Sequence, residues 1–118
     1  MSIIGTKEIQ ATIPINTALS GAVELGGHSV ERIIMPAAWT AADLTFAISD
    51  DGGTTSQNLY WDWGAEMVVD AAVATTIELS PFVKLSNIDQ LIVRSGTAGV
   101  PVNQAAERIV RLSVSTRG

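Results

Sequence analysis

His28, the aspartates at positions 43, 50, 51 and 62, and the run Tyr60-Trp61-Asp62-Trp63 are the residues of this sequence with chemistry to offer. Nucleophilic catalysis would need His28 oriented beside an activated hydroxyl. Ser29 follows it directly, and adjacent residues on a strand point to opposite faces, so the pair is not a productive one. A surface-loop histidine is the expectation. Acid–base hydrolysis would need two carboxylates facing one cleft, and calcium would need several oxygen ligands. Asp43, Asp50, Asp51 and Asp62 are the only cluster to consider, and their spacing matches no dedicated calcium loop. Asp50-Asp51-Gly52-Gly53-Thr54-Thr55 is instead what a tight turn calls for, carboxylates that cap backbone amides followed by residues that reach positive φ without a clash. The expectation is a structural turn, with no catalytic residue, no metal and no cofactor.

On a strand, Trp61 and Trp63 share one face while Tyr60 and Asp62 share the other. Two readings stand side by side: the tryptophans fill the core, or one aromatic pair is exposed and anchors a protein interface. Stacking on a sugar ring is a third use of the same residues. Trp39, close to Pro36, is expected to lie as a lid over one end of the fold. Residues 95–104, SGTAGVPVNQ, have no phosphate-loop pattern, and turn geometry accounts for their glycines.

The elements that position these residues are short strands. Leu44, Phe46 and Ile48 alternate with Thr45, Ala47 and Ser49, the period-two signature of a half-buried strand. Upstream, Ile9, Ala11, Ile13 and Ile15 share one face of a strand that Pro14 confines to an edge. Leu19, Gly21, Val23 and Leu25 share a face of the next. Residues 28–35 read as a third strand in which Val30, Arg32 and Ile34 compete with Glu31, Ile33 and Met35 for the inward side. Downstream follow a strand over 59–63, one carrying Ala65, Met67 and Val69, one carrying Thr75, Ile77 and Leu79 that stops at Pro81, one at Leu91 and Val93, and a last with Val110, Leu112 and Val114 inward. Single helical turns are expected over 37–43 and 104–108. Eight or nine short strands with frequent turn signals indicate an all-β protein, an antiparallel β-sandwich of jelly-roll-like form, as a single domain over residues 1–118 with a flexible N-terminal arm at 1–7.

With 118 residues the chain is one domain's length, enough to bury its own core. Hydrophobic residues make up 47% but aromatic ones 5%, so that core is built from Ile, Val, Leu and Ala. Charged residues make up 16%, a low share that leaves part of the surface apolar and points to assembly. A net charge of −5 without a basic run argues against nucleic acid as a partner. The absence of cysteine removes disulfides and thiolate chemistry. The first ten residues lack the pattern of a signal peptide and no apolar run approaches a membrane span, so synthesis in the cytoplasm and no membrane partner are expected.

MPAAWTAADLTFAISDDGG, over 35–53, and SGTAGVPVNQAAERIVRLSV, over 95–114, resemble stretches of small structural proteins of tailed bacteriophage virions. The resemblance runs from about Ala18 to the end of the chain. It implies a β-sandwich on or in the virion, with no catalytic residues carried over. The function it implies is that of a capsid decoration, or cement, protein: not an enzyme, made in the host cytoplasm, bound to the major capsid protein on the outer shell, and self-associating as a homotrimer. A head-fibre base or tail module, and a carbohydrate-binding module using the tryptophans, are the alternatives. A loop comparable to 95–104 recurs in the phage proteins, which makes Val100, Pro101 and Asn103 candidate subunit contacts beside Tyr60, Trp61 and Trp63.

Overall fold

Among the described residues, eight strands fold into two four-stranded sheets, and all their pairings are antiparallel. The computed structural model describes residues 6–79, 85 and 88–115. In chain order the strands are β1 (Thr6–Ile13), β2 (Val23–Glu24), β3 (Ser29–Ile34), β4 (Leu44–Ser49), β5 (Gln57–Asn58), β6 (Thr76–Glu78), β7 (Gln90–Ser95) and β8 (Arg108–Ser115). One sheet has the order β1-β8-β3-β6 and the other β2-β7-β4-β5. The first strand thus pairs with the last, the second with the seventh, the third with the sixth and the fourth with the fifth. A long antiparallel ribbon rolled up on itself gives that nesting, which is the jelly roll.

Between the sheets lie Ala11, Ile13, Ile33, Val110, Leu112 and Val114 from one side and Leu44, Phe46, Leu91 and Val93 from the other, all 0% exposed. Among the described residues Phe46 is the largest of the fully buried side chains. The competition of registers in β3 has a physical answer. Val30 pairs with Val114 and Arg32 with Ser113, so Glu31 is an extra residue at a β-bulge. Val30 points inward before the bulge, Ile33 and Met35 after it, and each of the two registers holds on its own side. Arg32 consequently lies outward, where its guanidinium donates to both carboxylate oxygens of Glu78 at 3.0 Å.

Several expectations are corrected. Ile15 and Leu19 are exposed, because Pro14–Thr17 is a turn with Asn16 at φ 64° that ends the alternation. Residues 37–43 and 104–108 form no helical turn; the backbone of Thr40 is instead bonded to the side chain of Gln104. The strand expected over 59–63 ends at Asn58 apart from a single bridge between Tyr60 and Glu66. Ala65 is exposed while Met67 and Val69 are buried. Trp39 is buried in the core cluster with its indole N–H donating to the Ala42 carbonyl at 3.0 Å. Of the N-terminal arm, Thr6 and Lys7 belong to β1, paired with Ser115 and Val114, while residues 1–5 and the strand end at Pro81 lie outside the described residues.

Candidate interaction surface

The two sheets differ on their outer faces. The β1-β8-β3-β6 sheet turns Glu8, Gln10, Arg111 and Glu78 to solvent, the polar-out pattern of a sheet covered on one side. The other sheet buries its outer face as well: Thr45, Ala47 and Ile92 lie there, yet they are 0%, 1% and 6% exposed. The segments on which the candidate residues sit reach this face: the Thr45 hydroxyl donates to the Gly96 carbonyl, and Arg94 beside it donates to Glu66. After β5 the chain leaves the sheet edge at Leu59, turns back through residues 60–66, and rejoins β4 where Val69 pairs with Leu44. Trp61 and Ala65 close this hairpin, with the Ala65 carbonyl accepting from Trp61 N–H at 2.7 Å, and Gly64 supplies the positive φ of 93° that its turn needs.

Arg94 fastens this layer. It is the one charged residue of the apolar strand β7, 8% exposed, on the outer face opposite Thr45. Its guanidinium donates to Glu66 at 3.2 Å, to Asn58 Oδ1 at 2.5 Å and to Thr45 Oγ1 at 3.3 Å. Glu66 in turn accepts the backbone N–H of Ala98 at 3.0 Å. A buried ion pair of this kind contributes little net stability, but every partner is satisfied, and taking one away would strand the other charge at a cost of about 3–5 kcal/mol. What the pair fixes is position: through Glu66 it ties the 60–66 hairpin and the 95–104 loop to the same point on the sheet.

The six candidate interface residues therefore lie on two adjoining segments. Trp61 and Trp63 stack with ring centroids 4.9 Å apart and planes 8° from parallel. Trp61 is half-buried against the core, and Trp63 is 70% exposed with one face backed by its neighbour. Of the two tryptophans, one packs against the core and the other is exposed. Tyr60 is exposed, as are Val100, Pro101 and Asn103 on the other segment. Arg94, Glu66, Asn58 and Thr45 went unread in the sequence. A lone arginine inside LIVRS was the available signal, because a charge in an apolar strand must find partners if it is buried.

The aspartates separate. Asp51 accepts from Thr55 Oγ1 at 2.6 Å, Thr55 N–H at 2.9 Å and Ser49 Oγ at 2.9 Å, which makes it the cap of the expected turn. Asp43 accepts weakly from Ala71 N–H at 3.4 Å, and Asp50 and Asp62 are exposed. Among the described residues no group of three or more potential ligands is placed to hold a metal ion, and no helix is long and apolar enough to cross a membrane. His28 follows the Gly26-Gly27 turn, with its N–H donating to the Leu25 carbonyl at 3.0 Å. Comparison with protein-family models, curated proteins and solved structures returns no match.

The hydrogen bonds from Thr55, first its hydroxyl and then its amide, with that from Ser49, hold the Asp51 carboxyl down to about 2. A carboxyl lowered on folding adds stability above its unfolded value, about 4, and that stability is lost as pH falls through the folded value. Between pH 4 and pH 2 the melting temperature is expected to fall more steeply in the wild type than in Asp51→Asn. Identical slopes would show that the turn does not hold the carboxylate. Asp89 works the other way: the nearby Glu24 carboxylate raises it, so its repulsion is relieved as pH falls. The comparison with Asp51→Asn isolates the first effect from the second.

Proposed function

We propose that the chain is a non-enzymatic structural protein of a tailed-phage virion, a decoration protein that binds the outer capsid shell as a homotrimer. The observation that carries this reading is the pair of exposed apolar anchors, Trp63 and Val100, each 70% exposed and each on a segment tied down through Glu66. An exposed tryptophan held rigid loses little entropy when a partner covers it, and aromatic anchors dominate the energy of protein interfaces. The jelly-roll sandwich, the low charge fraction and the resemblance of 35–53 and 95–114 to virion proteins support the same reading.

The mechanism is burial. Specific docking would remove about 1,000 Å² or more of surface from water. A protein that binds the assembled shell and not its separate subunits stabilises the shell by linkage, by an amount that grows with the logarithm of one plus the ratio of its free concentration to its dissociation constant. Localisation on the capsid surface, after synthesis in the host cytoplasm, follows from that role. The test is assembly: the wild type is expected to run as a trimer in light scattering, and Trp63→Ser with Val100→Ser to run as a folded monomer that keeps the wild-type far-UV circular dichroism spectrum and still melts cooperatively. A doubly substituted protein that keeps the wild-type mass would remove these residues from the subunit contact.

A further inference from the structure

We propose that the groove between the end of β4, the Asp51 turn and β5 binds a neutral oligosaccharide. This site is separate from the Trp63 and Val100 surface and does not rest on the virion reading. The groove has a volume of about 560 Å³, within the range of small-ligand sites, and is lined by Asp50, Ser56, Gln57, Asn58 and Tyr60 among others. A sugar ring presents hydroxyls around its edge and C–H groups on its faces. Its recognition needs paired donors and acceptors beside one aromatic plane, and these residues supply a carboxylate, a hydroxyl, two amides and a phenol ring.

The polar groups are available. Ser56 and Gln57 are exposed and make no side-chain hydrogen bond to another described residue, and the Asp50 carboxylate is likewise exposed. Asn58 commits its Oδ1 to Arg94, which fixes the amide and leaves Nδ2 as a donor. The backbone that carries the ring is held: Tyr60 is 51% exposed, and its backbone is bridged to Glu66, itself held by Arg94. A platform fixed in advance spares binding the cost of ordering it.

Charge selects the class of sugar. Asp50 borders the groove with an exposed carboxylate, so a uronic or sulfated chain would meet repulsion. A peptide added as a strand is disfavoured, because β5 offers an edge of only two residues, Gln57 and Asn58, for main-chain pairing.

The test is isothermal titration of the full chain with cellohexaose, maltohexaose, chitohexaose and mannohexaose, and with a galacturonic-acid oligomer of the same length. At least one neutral hexamer is expected to bind and the acidic oligomer not. Tyr60→Ala, at an exposed position, is expected to weaken binding by about tenfold or more, and Gln57→Ala to weaken it less. Trp63→Ser is expected to leave it unchanged, so that failure of this site and failure of the interface are told apart. Absence of heat with all four neutral hexamers would overturn the proposal, as would binding that survives Tyr60→Ala or that prefers the acidic oligomer.

Discussion

Gly96→Ala is expected to lower the free energy of unfolding by about 3 kcal/mol or more in a urea titration. Gly96 has φ 88°, where a side chain is strained. A Cβ there would sit 2.6 Å from the Val100 carbonyl oxygen and 2.7 Å from the Val102 nitrogen, both backbone atoms that cannot swing aside. The same residue is locked from its other groups, since its N–H donates to the Asp43 carbonyl at 2.8 Å and its own carbonyl accepts the buried Thr45 hydroxyl at 2.6 Å. Relief of the clash would move the 95–104 loop and with it Val100. Gly99→Ala is the control, for nothing lies within 4 Å of a Cβ at that position. A Gly96→Ala loss no larger than the Gly99→Ala loss would contradict the close approach.

Gln104→Leu is expected to cost about 2–4 kcal/mol, although the two side chains are similar in size. Gln104 is 0% exposed. Its Oε1 accepts from Thr40 N–H at 2.8 Å and Arg108 Nε at 3.2 Å, while its Nε2 donates to the Thr40 carbonyl at 3.0 Å and to Ser95 Oγ at 2.6 Å. Its own backbone N–H donates to the Thr17 carbonyl, and its carbonyl accepts from Asn16 N–H, both at 2.9 Å. Gln104 thus joins the 14–17 turn through its backbone and the Thr40 segment, Ser95 and Arg108 through its side chain, and leucine would leave the buried donors and acceptors of that second set without partners. Gln104→Glu, which keeps the acceptor and loses the donor, is expected to fall between. A Gln104→Leu loss under about 1 kcal/mol would mean that water or rearrangement replaces the network.

The architecture was legible where one face of a strand meets the core and the other meets solvent. In β8, Val110, Leu112 and Val114 alternate with Arg111 and Ser113, and the first set is fully buried. Period two fails in three places, each for its own reason. In β3 the extra residue Glu31 shifts the phase, and no pattern of side chains marks a bulge in advance. In β4 the alternation separates the faces correctly, but Thr45 and Ala47 are as buried as Leu44 because distant segments fold over them, a tertiary fact absent from any local window.

At residues 59–63 aromatic content argued for a strand, and the chain instead turns back through a hairpin at Gly64. The same limit governs the site. Tyr60, Trp63 and Val100 stood out by type or by resemblance and are exposed. Their common support, Arg94 with Glu66, joins residues 28 positions apart and could be suspected only from a charge in an apolar strand.

The most direct test of the assembly role is the solution mass of the purified protein by light scattering on a sizing column, over a wide concentration range. The expected result is a trimer that persists on dilution and dissociates in the Trp63→Ser and Val100→Ser double variant. A strict monomer at every concentration, unaffected by those substitutions, would contradict it.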